Sequence, residues 1–146
     1  YVMEHECGIR LEEIKKLATF SYDNRDFTAP IASGSFKIQS MVVIPCSMKT
    51  LSSIANGFSE NLLSRAADVT IKEGRKLILV PRETPLSPIH LENMLKLSRI
   101  GVNIFPACPG FYNHPESIED IVANLVGRIL DLAGIDNQIF KRWQGA

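Results

Sequence analysis

Three short, mainly apolar runs lie in the middle of the chain, at residues 41–44, 77–80 and 102–105, and a proline follows each of them. Runs of this length and composition predict strands that are buried on both faces, as in a parallel sheet. Apolar residues at helical spacing separate the runs, over about residues 50–73 and 88–100. The alternation of strand and helix predicts an α/β domain with a parallel sheet.

Both ends of the chain carry further helical patterns. Residues 8–17 have helical periodicity, and a last helix is predicted to begin after Ser117 as its N-cap and to stop at Gly134. Residues 19–40 are rich in Ser, Asp, Asn, Pro and Gly and are predicted to form a long loop. Small residues within this loop, at 31–35, would let its backbone approach a ligand or partner.

Composition narrows the classes of function. The 146 residues are 45% apolar and 22% charged, which predicts one soluble domain over the whole chain. Because 16 basic and 16 acidic residues balance, neither a nucleic acid nor an anionic membrane is expected as a partner. No apolar run is long enough to cross a bilayer and no secretion signal is present, so a cytoplasmic location is predicted. Three widely spaced cysteines favour free thiols over disulfides or a metal site.

The first candidate site follows the first predicted strand, in Pro-Cys-Ser-Met-Lys-Thr at residues 45–50. Hydroxyls and backbone N–H groups at a strand-to-helix turn can bind an anion such as phosphate, because a helix N-terminus carries partial positive charge. On spacing alone, simple capping of the helix by Ser47 or Thr50 is favoured over anion binding. The turn lacks the glycines and lysine of a Walker P-loop.

The second candidate site follows the second predicted strand, in Pro-Arg-Glu-Thr-Pro-Leu at residues 81–86. Ligands of open parallel sheets bind beyond the carboxyl ends of the strands, which is where Arg82 and Glu83 lie. The two prolines stiffen the turn that carries them. From the residues alone, an ion pair between Arg82 and Glu83 is favoured over a functional role.

Cationic residues on two predicted helices are further candidates. Arg65 and Lys72 share a helix face with Asp68, a spacing typical of a solvated face with salt bridges. Arg128 lies at the edge of the apolar face of the last helix, where it either snorkels to solvent or binds a ligand. Trp143 is predicted to be a packing anchor for the tail at residues 135–146, in preference to a wall of a neighbouring subunit's site.

Several motifs then occur together and in a fixed order. They are Pro-Cys-Ser-Met-Lys-Thr at 45–50, Ala-Asn-Gly at 55–57, Leu-Ser-Arg-Ala-Ala-Asp at 63–68, Pro-Arg-Glu-Thr-Pro-Leu at 81–86, His-Leu-Glu-Asn-Met at 90–94 and Pro-Gly-Phe-Tyr at 109–112. In these motifs the sequence resembles the UbiX family of flavin prenyltransferases, from about residue 29 to residue 143. The resemblance implies a Rossmann-like, flavodoxin-like three-layer flavoprotein that binds FMN and alkylates it with dimethylallyl phosphate. It also implies a homo-oligomer, a dodecamer, that supplies prenylated FMN to UbiD-type decarboxylases.

The resemblance also implies roles for single residues. It assigns Ser47, Met48, Lys49 and Thr50 to a turn that contacts FMN, Arg82 to a flavin contact, and Glu83 to proton handling. It assigns Tyr112 and Arg128 to the phosphate of the substrate, since phenol and guanidinium groups are good phosphate donors. It places Arg65 and Lys72 at the same phosphate, with a contact across a subunit boundary as one way to reach it. The absence of an Asp-Asp-x-x-Asp motif fits transfer without a metal from a monophosphate donor.

The sequence departs from the family pattern at its start. Family members usually begin with a strand, a Gly-Ala-Ser-Gly turn that contacts the flavin, a helix and a second strand, none of which precedes Tyr1. The chain is therefore expected to lack the first βα unit of the family. Two alternatives stay open, a flavoprotein similar to phosphopantothenoylcysteine decarboxylase and a non-catalytic FMN-binding subunit.

Overall fold

The computed structural model describes residues 2–143 and 145, with side chains from residue 4 onwards. The helices and strands follow one another in the order α1 (Val2–Cys7), α2 (Leu11–Lys15), a 3-10 turn (Pro30–Ala32), β1 (Ser40–Cys46), α3 (Met48–Ala55), α4 (Leu62–Lys72), β2 (Lys76–Pro81), α5 (Pro88–Arg99), β3 (Asn103–Ile104) and α6 (Ile118–Ala133). The predicted alternation of strands and helices is confirmed. None of the described helices is both long and apolar enough to span a membrane.

The strands form one parallel three-stranded sheet in the order β1-β2-β3. Val43 of β1 is paired with Leu79 of β2, which in turn is paired with Ile104 of β3. β2 is therefore central, and all but the first of its residues are buried. This agrees with the continuous apolar run from which the strand was predicted, because a strand covered on both faces has no polar side.

Two apolar clusters cover the two faces of the sheet. The larger contains Leu77 and Leu79 of β2 together with buried residues of α3, α4 and α5. The smaller contains Ile78 and Val80 of β2 with Ile129 and Ala133 of α6. The domain thus has three layers, with α3, α4 and α5 on one face of the sheet and α6 on the other.

The single helix predicted over residues 50–73 is wrong, because α3 and α4 are separate helices. Gly57 takes a φ of 67° just after α3, a left-handed conformation that favours glycine. Asn61 then caps α4, since its side chain accepts a hydrogen bond from the backbone N–H of Ser64. The last helix agrees with prediction: Ser117 caps it, and Gly134 ends it with a φ of 80°.

The helix predicted over residues 8–17 is reduced to the five residues of α2. None of these residues is buried, and Leu17 is exposed, so no apolar contact extends the helix. The loop predicted over residues 19–40 contains only the short 3-10 turn. It lies against α4, because Asn24 accepts hydrogen bonds through its backbone and side-chain oxygens from the N–H groups of Leu62 and Leu63.

All three cysteines are free thiols, as predicted. Cys7 and Cys108 are exposed, whereas Cys46 is buried at the end of β1. Burial raises the pKa of the Cys46 thiol to about 11, because the thiolate would lose its solvation.

Candidate functional site

The carboxyl ends of the three strands meet at one edge of the sheet. Cys46 at the end of β1 is paired with Pro81 at the end of β2. On the other side of β2, the backbone N–H of Ala107 donates to the carbonyl oxygen of Pro81 over 3.3 Å. Ser47 and Arg82 therefore each follow a paired position, on strands that lie about 4.8 Å apart. The two candidate turns predicted from sequence are neighbours in space.

A cavity of about 390 Å³ opens beyond the ends of β2 and β3. Its lining residues are Pro81, Arg82, Glu83, Thr84, Pro106, Ala107 and Cys108. The cavity thus joins the charged turn after β2 to the loop after β3. This is the position at which open parallel sheets bind their ligands.

Arg82 and Glu83 do not pair with each other, so the ion pair favoured from the residues alone is wrong. Arg82 Nη2 instead lies 3.1 Å from Oε1 of Glu6 in α1, and the Arg82 side chain is 68% exposed. Glu83 is exposed as well, and its Oε1 accepts a hydrogen bond of 3.0 Å from the N–H of Thr84. Both charged groups are accessible from solvent at the cavity wall.

The turn after β1 caps α3, as its spacing predicts. Ser47 Oγ accepts the N–H of Thr50 over 3.2 Å and donates to Thr50 Oγ1 over 3.0 Å. Met48 packs against the larger apolar cluster, and Lys49 pairs with Glu60 over 3.0 Å. The hydroxyls remain at the positive end of the helix dipole, where they are also suited to an anionic group.

Arg65 and Lys72 lie on a salt-bridged helix face, as their spacing predicts. Arg65 Nη1 is 3.1 Å from Asp68 Oδ2, and Lys72 pairs with Glu73. Lys72 ends α4 just before β2 begins, whereas Arg82 follows the last residue of β2. Because the six residues of β2 span about 20 Å, Lys72 lies at the opposite edge of the sheet from Arg82. The structure does not bring these two predicted site residues together within one chain.

α4 and the residues after it hold the small-residue stretch of the long loop. Arg65 Nε donates to the carbonyl oxygen of Ala32 over 3.2 Å, and Arg75 Nη2 donates to that of Gly34 over 2.6 Å. A Cβ on Gly34 would overlap the Glu73 carboxylate and lie 2.9 Å from Lys72 Nζ, so a larger residue there would displace these two side chains. We call Arg65, Lys72 and Arg75 the α4 cationic cluster.

Sequence reasoning missed Arg75 as a member of this cluster. It also missed the two hydroxyls at the same place, those of Ser33 and Ser35, which lie 2.9 Å apart. The small residues at 31–35 were a usable signal, because they marked where backbone could approach another group. That group is a set of cationic residues more than thirty positions away in the chain. Only the folded chain brings them to the loop.

Tyr112 lies in the loop after β3, and Arg128 lies in α6. Tyr112 is exposed, and its ring contacts Trp143 edge to face with centroids 6.1 Å apart. Arg128 Cζ lies 5.7 Å from the centroid of the Phe105 ring. Trp143 is 64% exposed and its described ring partner is Tyr112, so the packing contact that it makes is a surface contact between two aromatic rings.

The described residues contain no cluster of three or more His, Cys, Asp or Glu side chains that could hold a metal ion. His90 serves a structural purpose, since its Nδ1 accepts the N–H of Ser87 at the start of α5. The chemistry available at the carboxyl edge is therefore that of hydroxyls, backbone N–H groups, the Arg82 guanidinium group and the carboxylates of Glu83 and Glu6. This set is suited to an anionic, hydrogen-bonding ligand.

Comparison with known proteins identifies the family. A family model described as Flavoprotein matches residues 2–130. A flavin prenyltransferase UbiX from Methanocaldococcus jannaschii is 56% identical over 142 residues, which are 97% of this chain and 77% of that relative. This chain belongs to the UbiX family of flavin prenyltransferases.

Solved UbiX structures confirm the Rossmann-like α/β fold. The dodecameric FMN-dependent UbiX-like decarboxylase from Escherichia coli O157:H7 is 54% identical with a TM-score of 0.95, over 98% of this chain and 77% of that one. AnUbiX (PadA1), in complex with FMN and dimethylallyl pyrophosphate, is 48% identical with a TM-score of 0.96, over 99% of this chain and 77% of that one. The resemblance inferred from the motifs is confirmed.

Proposed function

We propose that this chain binds FMN at the carboxyl edge of its sheet and catalyses transfer of a dimethylallyl group from a phosphate ester to the flavin. The observation that carries this proposal is the adjacency of the Ser47 and Arg82 turns, with Glu83 on the wall of a cavity. The 56% identity to a flavin prenyltransferase supports the same reaction.

The residues present at this edge suit FMN. We propose that the hydroxyls and N–H groups of residues 47–50 and the guanidinium group of Arg82 hold its polar and anionic groups, with Met48 and Lys49 in the same turn. Arg82 is available for this purpose because its ion pair with Glu6 is exposed, and exposed pairs contribute little to stability. When bound, reduced FMN supplies the nucleophilic ring to which the dimethylallyl group is attached.

Glu83 is proposed to handle the proton. Its carboxylate stands at the cavity wall and, within residues 2–143, accepts a hydrogen bond from the neighbouring N–H of Thr84. A carboxylate in this position can take a proton from one reacting group and return it to the leaving phosphate, the usual work of a general acid-base residue.

The phosphate of the substrate is proposed to lie between two sets of residues from different subunits. Tyr112 and Arg128 form one set, and Arg65 and Lys72, next to the hydroxyl of Ser33, form the other. Lys72 is about 20 Å from Arg82 along β2, so it cannot serve the cavity of its own chain. Phenol and guanidinium donors together with an ammonium group would stabilise the charge that develops on the leaving phosphate.

A mixing experiment tests this division between subunits. Arg65→Ala and Arg128→Ala variants should each have low activity, because each lacks one half of the phosphate site. When the two variants are co-expressed and isolated as mixed assemblies, about one quarter of the sites combine two intact halves, so activity should partly return. Prenylated FMN formed per site is the measurement.

The matched control mixes two variants of the same half, Arg65→Ala and Lys72→Ala. Every site of that mixed assembly lacks one residue of the α4 cationic cluster, so activity should stay low. Equal activity in the two mixtures would contradict a site shared between subunits.

The reaction itself is tested with the FMN-loaded protein under reducing conditions. We expect dimethylallyl phosphate to yield a flavin heavier by one prenyl unit in the mass spectrum. A parallel reaction with dimethylallyl pyrophosphate, the compound present in the AnUbiX structure, identifies which ester serves as donor. Absence of an adduct with both donors would overturn the proposed function.

Two further outcomes distinguish the alternatives. Binding of FMN without turnover would favour a non-catalytic flavin-binding subunit. Carbon dioxide released from a cysteine-derived substrate would favour a flavoprotein similar to phosphopantothenoylcysteine decarboxylase.

We also propose that the prenylated flavin passes to a UbiD-type decarboxylase, the recipient that the family resemblance implies. The protein would act as a homo-oligomer in the cytoplasm, in line with the dodecameric Escherichia coli relative. Activation of a UbiD-type apo-decarboxylase by the reaction product would test the transfer.

A further inference from the structure

The segment at residues 135–143, here the tail segment, is fastened to the last two turns of α6. Arg142 holds the Asp131 carboxylate with two hydrogen bonds, of 2.8 Å from Nη1 to Oδ2 and 2.7 Å from Nη2 to Oδ1. A bidentate pair of this kind fixes orientation as well as distance. The Arg142 hydrogen bonds hold the pKa of Asp131 below its ordinary value, so the pair is charged at neutral pH.

A second contact fastens the tail segment one turn earlier on α6. Asn137 Nδ2 donates to the backbone carbonyl oxygen of Gly127 over 3.0 Å and to Asp131 Oδ1 over 2.9 Å. The Phe140 ring lies directly on the helix backbone at Gly127, where any Cβ would overlap the ring. Glycine in a helix interior is unfavourable by about 1 kcal/mol relative to alanine, so its presence here needs a packing reason. The Phe140 contact is that reason.

The tail segment in turn contacts the loop that carries Tyr112. Trp143, the residue after Arg142, meets the Tyr112 ring at an interplanar angle of 84°. Next to Tyr112, Asn113 Nδ2 donates to the carbonyl oxygen of Lys141 over 3.4 Å. Two neighbouring residues of the loop are thus held by two residues of the tail segment.

We propose that the α6 anchor, formed by Gly127, Asp131, Asn137, Phe140 and Arg142, positions Tyr112 for the substrate phosphate through the tail segment. The inference rests on the proposed function, in which Tyr112 contacts that phosphate. The anchor residues act through Trp143 and Lys141, so they are positioning residues. Their loss should weaken donor binding more than it slows the chemical step, and it should leave FMN binding unchanged.

Gly127→Ala is the sharpest test of the anchor. The added methyl group overlaps Phe140 and displaces the tail segment, while alanine itself favours the helix, so unfolding of α6 is not expected. Trp143 is the only tryptophan in the chain, so fluorescence excited at its absorption edge reports on its contact with Tyr112. We expect the fluorescence anisotropy to fall and KM for dimethylallyl phosphate to rise roughly tenfold, with kcat little changed.

Arg142→Ala should have the same effects as Gly127→Ala. The double variant Asp131→Arg with Arg142→Asp reverses the pair and should restore part of the anisotropy and of the donor KM. The matched control is Asp23→Asn, which disrupts the bidentate contact of Asp23 with Arg25 in the long loop. This control should leave both the anisotropy and KM at the wild-type values.

Each outcome bears on the proposal. The proposal would be overturned if Gly127→Ala and Arg142→Ala both kept the wild-type anisotropy and donor KM. It would also be overturned if the anisotropy fell while the donor KM stayed unchanged, because the anchor would then be merely structural. Failure of the wild-type protein to form any prenylated flavin would instead overturn the proposed function. That failure is seen without any variant, so the two failures are distinguishable.

Discussion

Replacing Glu83 with glutamine is expected to lower kcat for flavin prenylation by about 10²–10⁴-fold. The amide has nearly the shape of the carboxylate but cannot accept the proton, so positioning is kept while proton transfer is lost. Glu83 is exposed and its described hydrogen bond comes from the adjacent Thr84 N–H, so the variant should fold and bind FMN as the wild type does. Single-turnover reactions followed by mass spectrometry, with FMN binding from flavin fluorescence, measure the two effects separately.

Glu119→Gln is the control for this experiment. Glu119 is also exposed, but it lies in the first turn of α6 and is not among the residues that line the cavity after β2. The Glu119→Gln substitution removes the same charge as Glu83→Gln and should leave kcat unchanged. A Glu83→Gln enzyme with the kcat of the wild type would exclude Glu83 from proton handling, whereas an equal loss in both variants would indicate a general effect of charge.

Replacing Leu79 with alanine is expected to lower the free energy of unfolding by about 2–5 kcal/mol. Leu79 is fully buried in the central strand and belongs to the larger apolar cluster, between Val43 and Ile104 on the neighbouring strands. Its truncation removes apolar contacts and leaves a cavity that secondary structure on both sides keeps from collapsing. Urea unfolding followed by far-UV circular dichroism measures the loss.

Ile44→Ala is the control, because it deletes a side chain of similar size from β1 at a position that is 56% exposed. Its effect on the free energy of unfolding should be much smaller, because the deleted atoms of Ile44 are mostly in contact with solvent and not with other side chains. Equal losses for Leu79→Ala and Ile44→Ala would contradict the burial of Leu79 in the central strand.

The sequence predicted the strands well because their signal is local. A run such as residues 77–80 has no polar alternation, which is typical of a strand covered on both faces. The ends of α6 were predicted for the same reason, since Ser117 and Gly134 act on backbone groups within a few residues. The helix predicted over residues 50–73 failed because the apolar spacing continued across Gly57, where the backbone turns.

The position of the candidate site was predicted from the sequence, but several of its contacts were not. The turns at Ser47 and Arg82 were each predicted from their position after a strand, and the register of β1 and β2 makes them neighbours. The partner of Arg82 was not predictable, because Glu6 lies 76 positions away. Lys72 was grouped with the site residues, but β2 separates it from Arg82 by its full length.

By itself the sequence determined the three strands, the helical character of the segments between them and, through its motifs, the family. Both depend on residues close together in the chain, whose backbone preferences and burial patterns act over a few positions. Only the tertiary structure decided that Arg75 holds the loop at Gly34, that Lys72 lies at the far edge of the sheet and that the tail segment lies on Gly127. These contacts join distant parts of the chain, and they exist only once the sheet and its helices have packed.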